Sequence, residues 1–361
     1  MILAATRVLT PEGLIGPAAV ECDGDRIVAV HALEKGAVVP DRILAPGLVD
    51  LQVNGIEDID VASATGSDWE ALDRYLLAQG VTTWCPTLVT APLDRYPPAL
   101  ARVEEARNRP AEGRPAIAGA HLEGPFLGGA PGAHPIELLR PIDLDWLAAL
   151  PPTVRVVTLA PELAHATEAI RLLAGRGVLV SLGHSIASFE QAVAGAKAGA
   201  RLATHVFNGM GPLHHREPGL AGAALARVGL TPSLIADLIH VHPAVVAMVL
   251  RATPAILVTD AVAWRAARVS TIGIELRDGA ARLADGRLAG SALTMDQAIR
   301  NAVGAGIDLE TALVAASTRP AALLGSHDRG SIAPGCRADL VAFAPDLAVE
   351  QVWVGGGSVL P

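Results

Sequence analysis

The amino-acid sequence predicts an α/β protein, a (β/α)8 barrel of TIM type joined to a small β-sandwich domain built from both chain ends. Three observations predict it. Through the middle of the chain, short apolar runs alternate with longer amphipathic segments, the pattern of parallel strands and crossover helices. The two ends carry strand-like segments with no helix to cover them, so pairing with each other is the economical way to bury their apolar faces. Residues able to bind metal or move protons stand at or just past the C-terminal end of successive apolar runs, the barrel face that carries chemistry.

Composition supports a large globular core. The chain has 361 residues, of which 51% are hydrophobic and 18% charged, far from the signature of disorder. Its net charge of -9, from 28 basic and 37 acidic residues with no basic run, argues against a nucleic-acid partner. Mean hydropathy is +0.40, yet Gly, Pro or charge breaks every apolar stretch well before the roughly 20 residues of a bilayer span, so no membrane partner is expected. Met1-Ile2-Leu3-Ala4 shows no basic segment of a secretory signal, and a cytoplasmic location is expected. Cys22, Cys85 and Cys336 show no CxxC spacing, which supports neither a disulfide framework nor a thiolate metal site.

Taken in order, residues 1–46 supply the first part of the small β domain, 47–327 the catalytic barrel and 328–361 the rest of the β domain. Segments 18–22 and 26–30 flank Asp23-Gly24-Asp25, a hairpin turn suited to positive φ at Gly24. Segments 338–343 and 349–354 flank Ala344-Pro345-Asp346 in the same style. The eight barrel strands are expected at 47–53, 81–85, 116–122, 154–159, 178–182, 201–206, 233–239 and 255–259. Helices are expected at 68–78, 93–107, 137–150, 165–174, 188–198 and 243–251.

Glu123 follows the third strand, His184 the fifth, and His205 ends the sixth. Two imidazoles and a carboxylate leave an open position on a tetrahedral divalent ion, as hydrolytic chemistry needs. Zn²⁺ suits this set, as do Fe²⁺, Mn²⁺ and Co²⁺. Asp260 ends the eighth strand, where a carboxylate can pass a proton from water to a leaving amine; by spacing alone it reads equally as a cap for the next segment. His134, in a Gly/Pro-rich loop, suits covering a substrate and polarising a carbonyl, although most loop histidines face solvent. Asn208-Gly209 with Arg216, joined by His240, suits a phosphate, although spacing alone favours a surface turn with an Arg216–Glu217 pair.

The segments HLEGPF, GAH, GHS, THVFNGM, REPGLAG, IADLIH, VTDA and LAGSALTM occur in that order. Together they resemble the N-acetylglucosamine-6-phosphate deacetylase family of the amidohydrolase superfamily, over nearly the whole chain. The resemblance implies one divalent metal ion per chain on Glu123, His184 and His205, with Asp260 as acid and base. It implies that Ala133, His134, Leu288, Ala289 and Gly290 line the sugar and acetamide site. Asn208, Gly209, Arg216 and His240 are implied to take the phosphate of an amino-sugar substrate, His240 from the partner subunit of a homodimer. The implied reaction is hydrolysis of the acetamide to acetate and glucosamine 6-phosphate; a different N-acyl sugar phosphate or a cyclic amide is the alternative. Gln52-Val53-Asn54 stands where most of the superfamily carries His-x-His, which argues against a stable second metal. Val262-Ala263-Trp264-Arg265 replaces a loop of small residues and is expected to change the pocket wall.

Overall fold

The structure is a computed structural model that describes residues 1–110 and 112–359. Eight parallel strands form the barrel: β1 (Leu48–Val53), β2 (Val81–Val89), β3 (Ala120–Glu123), β4 (Val154–Leu159), β5 (Leu179–Leu182), β6 (Leu202–Ala203), β7 (Thr231–Leu234) and β8 (Ile256–Leu257). Each pairs with the next in chain order. The seam between β8 and β1 is closed by a single Val53–Ala261 bridge and by the Asp260 amide, which donates to the Gln52 carbonyl at 2.9 Å. The first strands are buried along their whole length, as strands with packing on both faces must be.

Local signals account for the helices that cover this barrel. Helix 189–198 opens with a capping box between Ser188 and Gln191, and helix 243–252 with Pro243 in its first turn. The helix expected over 137–150 does not form. That span contains Pro141, which has no amide proton to donate to a helix. In its place are a short 3-10 turn at Ile136–Leu138 and the five-residue helix Leu144–Ala148. Strands β6 to β8 are also shorter than their apolar runs, which continue into irregular segments that carry site residues.

The two chain ends meet in a pair of sheets. One sheet joins Ile2–Ala5, Ala18–Asp23 and Arg26–Ala32; the other includes Arg7–Thr10, Ile43–Pro46, Leu340–Phe343 and Val349–Val354. Ile43–Pro46 and Leu340–Phe343 are antiparallel neighbours. The middle strands of the second sheet are buried on both faces, and their alternation shows how. Leu44, Leu340 and Ala342 point into the core between the sheets, whereas Ile43, Ala45, Val341 and Phe343 pack on the barrel core. Gly24 turns the first hairpin at φ 54°. Among the described residues no helix is long and apolar enough to cross a membrane.

Between β8 and the next helix an insert projects over the barrel mouth. One of its antiparallel pairs, Glu275–Arg277 with Ala280–Arg282, was not expected from the sequence. Val262, Val269, Ile274, Ala281 and Ala289 form a small separate core that seats this insert on the rim.

Candidate active site

Strand ends deliver the polar groups of the central cavity. Glu123 is the last residue of β3, and His184, His205 and Asp260 lie just past β5, β6 and β8. The last three have φ of 50°, 30° and 50°, left-handed values that cost a non-glycine residue roughly 1–3 kcal/mol and gather at functional sites. Neighbouring glycine makes room for them. A Cβ on Gly209, itself at φ 56°, would stand 2.7 Å from His184 Nδ1.

Glu123 Oε1 lies 3.0 Å from Nε2 of both His184 and His205, and those two nitrogens are 3.2 Å apart. Ligand atoms placed 2.0–2.1 Å from one tetrahedral ion stand roughly 3.3 Å from each other. The three residues therefore form a cluster able to hold a divalent metal ion. The far side of each ring supports this orientation. His184 Nδ1 is 3.3 Å from the Ala130 carbonyl and His205 Nδ1 is 3.1 Å from the Asn208 carbonyl, so donation there leaves both Nε2 lone pairs aimed at the centre. His134 also offers a ligand atom, within 4.8 Å of those of Glu123 and His184. Its Nε2 is nevertheless 4.0 Å from Glu123 Oε2, so the compact set is Glu123, His184 and His205.

Burial opposes charge on Glu123, but the hydrogen bonds and charges of His184 and His205 outweigh it and hold the carboxyl well below its usual range. Burial likewise pulls His205 down, while Glu123, by hydrogen bond and charge, and then Asp260 lift it to about 9. Burial, reinforced by His184, pushes His134 down to about 3, so its imidazole is neutral at neutral pH. Burial and then the charge of Glu123 push Asp260 up to about 7. Gln52 ties these groups together, its Nε2 donating to Glu123 Oε1 at 3.0 Å and to Asp260 Oδ1 at 3.1 Å. Asn54 Nδ2 donates to the same Asp260 oxygen at 2.7 Å.

The cavity around this cluster measures about 240 Å³, and Ala133, His134, Asn208, Gly209, His240, Leu288, Ala289 and Gly290 all line it. Two of the expected phosphate residues stand differently from each other. Arg216 is exposed and outside the lining, its guanidinium 2.7 Å from His215 Nε2 on a surface turn. His240 lines the cavity of its own chain, where its Nδ1 bonds Asp237 Oδ2 at 2.7 Å. Of the segment 262–265, Val262 reaches the wall, Trp264 packs at the rim and Arg265 turns away to pair with Glu57 at 2.6 Å. Sequence reading missed Arg287, the one Arg or Lys lining the cavity among the described residues. Its position immediately before Leu288-Ala289-Gly290 was the available signal. Glu162, at a strand end but outside the lining, clamps two loops instead: its carboxylate accepts from the amides of Gly129 and Ile186 and the hydroxyl of Ser185.

A closed parallel barrel with a Glu/His/His cluster and a carboxylate at its C-terminal face defines a class, and residues 43–359 match the Amidohydrolase family. The chain belongs to that family. It is 38% identical to N-acetylgalactosamine-6-phosphate deacetylase of Escherichia coli O157:H7, over 98% of each chain. It is 37% identical to N-acetylglucosamine-6-phosphate deacetylase of Vibrio furnissii, over 87% of this chain and 82% of the relative. Among solved structures, an N-acetyl-D-glucosamine-6-phosphate deacetylase variant from Mycobacterium smegmatis, in complex with N-acetyl-D-glucosamine-6-phosphate, superposes with a TM-score of 0.92 at 33% identity, covering 100% of this chain and 99% of that one. The Thermotoga maritima N-acetylglucosamine-6-phosphate deacetylase gives the same TM-score at 32% identity, with the same coverage.

Proposed function

We propose that the protein hydrolyses the acetamide of N-acetylglucosamine 6-phosphate, releasing acetate and glucosamine 6-phosphate. The observation that carries this reading is the single amide of Gln52, which joins the Glu123/His184/His205 cluster to Asp260. The relatives named above act on substrates of this kind. Glu123, His184 and His205 would hold one divalent ion, Zn²⁺ or another first-row metal. When bound it supplies Lewis acidity, acidifying a water and polarising a carbonyl. Gln52 and Asn54 offer only neutral amides, weak ligands beside imidazole and carboxylate, and their nitrogens are engaged by Glu123 and Asp260, which supports one ion per chain.

Asp260 is the acid and base. Both amide donors address its Oδ1, which leaves Oδ2 to accept a proton from the attacking water and deliver it to the amine as the C–N bond breaks. His134 steadies the developing oxyanion. The Thr90 hydroxyl has one proton and stands 2.8 Å from His134 Nδ1 but 3.5 Å from the Glu123 carbonyl. Donation to Nδ1 leaves the Nε2 proton of the neutral ring for substrate oxygen. The Asn208-Gly209 segment and His240, which also line the cavity, receive the phosphate.

A second reading changes only the sugar. The relative aligned over 98% of both chains acts on N-acetylgalactosamine 6-phosphate, so the C4 epimer is the competing substrate. Acetate release from both epimers by metal-reconstituted protein tests the two readings together. The expected result is stoichiometric acetate and free amine, faster from the gluco epimer; faster turnover of the galacto epimer reverses the assignment, and release from neither removes it.

A further inference from the structure

Two chain segments face each other across the cavity mouth. One is the loop 128–135, which carries His134; the other is the exposed turn 283–288 at the end of the insert hairpin. The turn is built to hold one side chain still. Leu283 N donates to the Arg287 carbonyl at 2.8 Å and Gly286 N to the Leu283 carbonyl at 2.9 Å. Asp285 Oδ1 accepts from the Arg287 amide at 3.0 Å, and Oδ2 accepts from Arg287 Nε at 2.8 Å with Nη2 equally close. One edge of the guanidinium is thereby occupied. The remaining nitrogen, Nη1, donates across the mouth to the carbonyl of Gly132.

Gly132 is where a tether has most effect. At φ 59° it takes a backbone conformation that suits glycine, and the Cβ direction at this residue points to His184 Cε1 at 3.4 Å. The residue two before it supplies the carbonyl beside His184 Nδ1, and the residue two after it is His134, whose amide bonds the Pro131 carbonyl at 3.1 Å. The His134 ring meets that of His184 edge-on, with centroids 4.3 Å apart.

We propose that Arg287 is a positioning residue: by holding the Gly132 carbonyl from across the cavity, it fixes the Gly132–His134 segment and so the His134 imidazole over the scissile amide. This rests on the deacetylase reading and on the role given there to His134. A phosphate-binding role is the obvious rival for a cavity arginine. Asp285 already offsets the charge of this one at 2.8 Å, and the side chain is 53% exposed, so an added anion gains little from it.

The test is a double-mutant cycle. Arg287→Ala should lower kcat about tenfold on N-acetylglucosamine 6-phosphate, the scale of a modest misplacement of a catalytic group, with KM changed less than about threefold. The same substitution in a His134→Ala background should cost less than about twofold, because the residue acts through His134. Arg287→Lys, which retains one donor, should recover part of the loss. Hydrogen exchange at the His134 amide gives a readout that needs no turnover, and Arg287→Ala should speed it about tenfold. Equal losses with and without His134, unchanged exchange, or a KM increase confined to the phosphorylated sugar would each overturn the proposal. Absence of acetate release by the unaltered protein, with faster exchange in Arg287→Ala, removes the deacetylase reading and the catalytic part of this one while the tether stands.

Discussion

The two ends of the cavity are built differently. At the Glu123 end Glu123, His184, His205 and Asp260 are buried, end or follow barrel strands and are each held by at least one further hydrogen bond. At the Asn208 end the lining comes from irregular segments, the nearby turn holds Arg216 in solvent, and His240 is secured mainly by Asp237. Bond-making needs atoms placed to a fraction of an ångström, which a strand end provides. Recognition of a remote substituent tolerates loops, and loops can change without disturbing the chemistry.

This contrast can be broken by substitution, beginning with the largest effect. Asp260→Asn retains shape but cannot take the proton, so kcat should fall at least ~10²-fold with metal content unchanged; near-normal turnover of a metal-replete variant would remove Asp260 from the mechanism. Gly209→Ala comes next, because Gly209 touches both ends. Its new methyl group meets the His184 ring, and metal affinity should drop ~10–100-fold, the usual penalty for disturbing the support of a ligand, as read by competition with a chelator.

His240→Ala should act at the recognition end alone. Loss of one charged or polar contact to phosphate should raise KM on the phosphorylated sugar about tenfold and leave the unphosphorylated sugar unaffected. Equal damage to both sugars would erase the distinction between the ends. An effect on stability rather than turnover lies beneath the seam, where burial raises Asp50 to about 6 despite bonds from Thr259 and Gln52. Because the folded chain holds this proton more tightly than the unfolded chain, stability from Asp50 is greatest below about pH 4 and declines by roughly 2–3 kcal/mol as pH rises to 6. Asp50→Asn should flatten that part of the Tm profile; an unaltered slope would mean Asp50 titrates normally.

The same contrast governs what could be read in the sequence. Glu123, His184, His205 and Asp260 were placed near one another because a parallel strand in a closed barrel fixes which end of each apolar run faces the cavity. No such rule applies to a turn. Arg216 is eight residues from Asn208, and nothing in that spacing says whether the chain bends its guanidinium inward. Apart from its place before Leu288-Ala289-Gly290, Arg287 had little to mark it: Glu275–Arg277 is exposed throughout and carries no apolar alternation, so the hairpin that presents it left no pattern. The lost helix over 137–150 is a plainer case, an amphipathic spacing read across Pro141.

The pairing of Ile43–Pro46 with Leu340–Phe343 bears on how the chain is made. The partners are roughly 300 residues apart, and ribosomes add about 5–20 residues per second, so the first waits about 15–60 s for the second. During that interval Ile43 and Ala45, both completely buried in the finished protein, lack a neighbour on one edge while β1 is already beside them. Vectorial synthesis therefore leaves an open strand edge next to the first stave of the barrel until the last segment emerges, which is where nascent chains of this protein are most exposed to chaperone capture or aggregation.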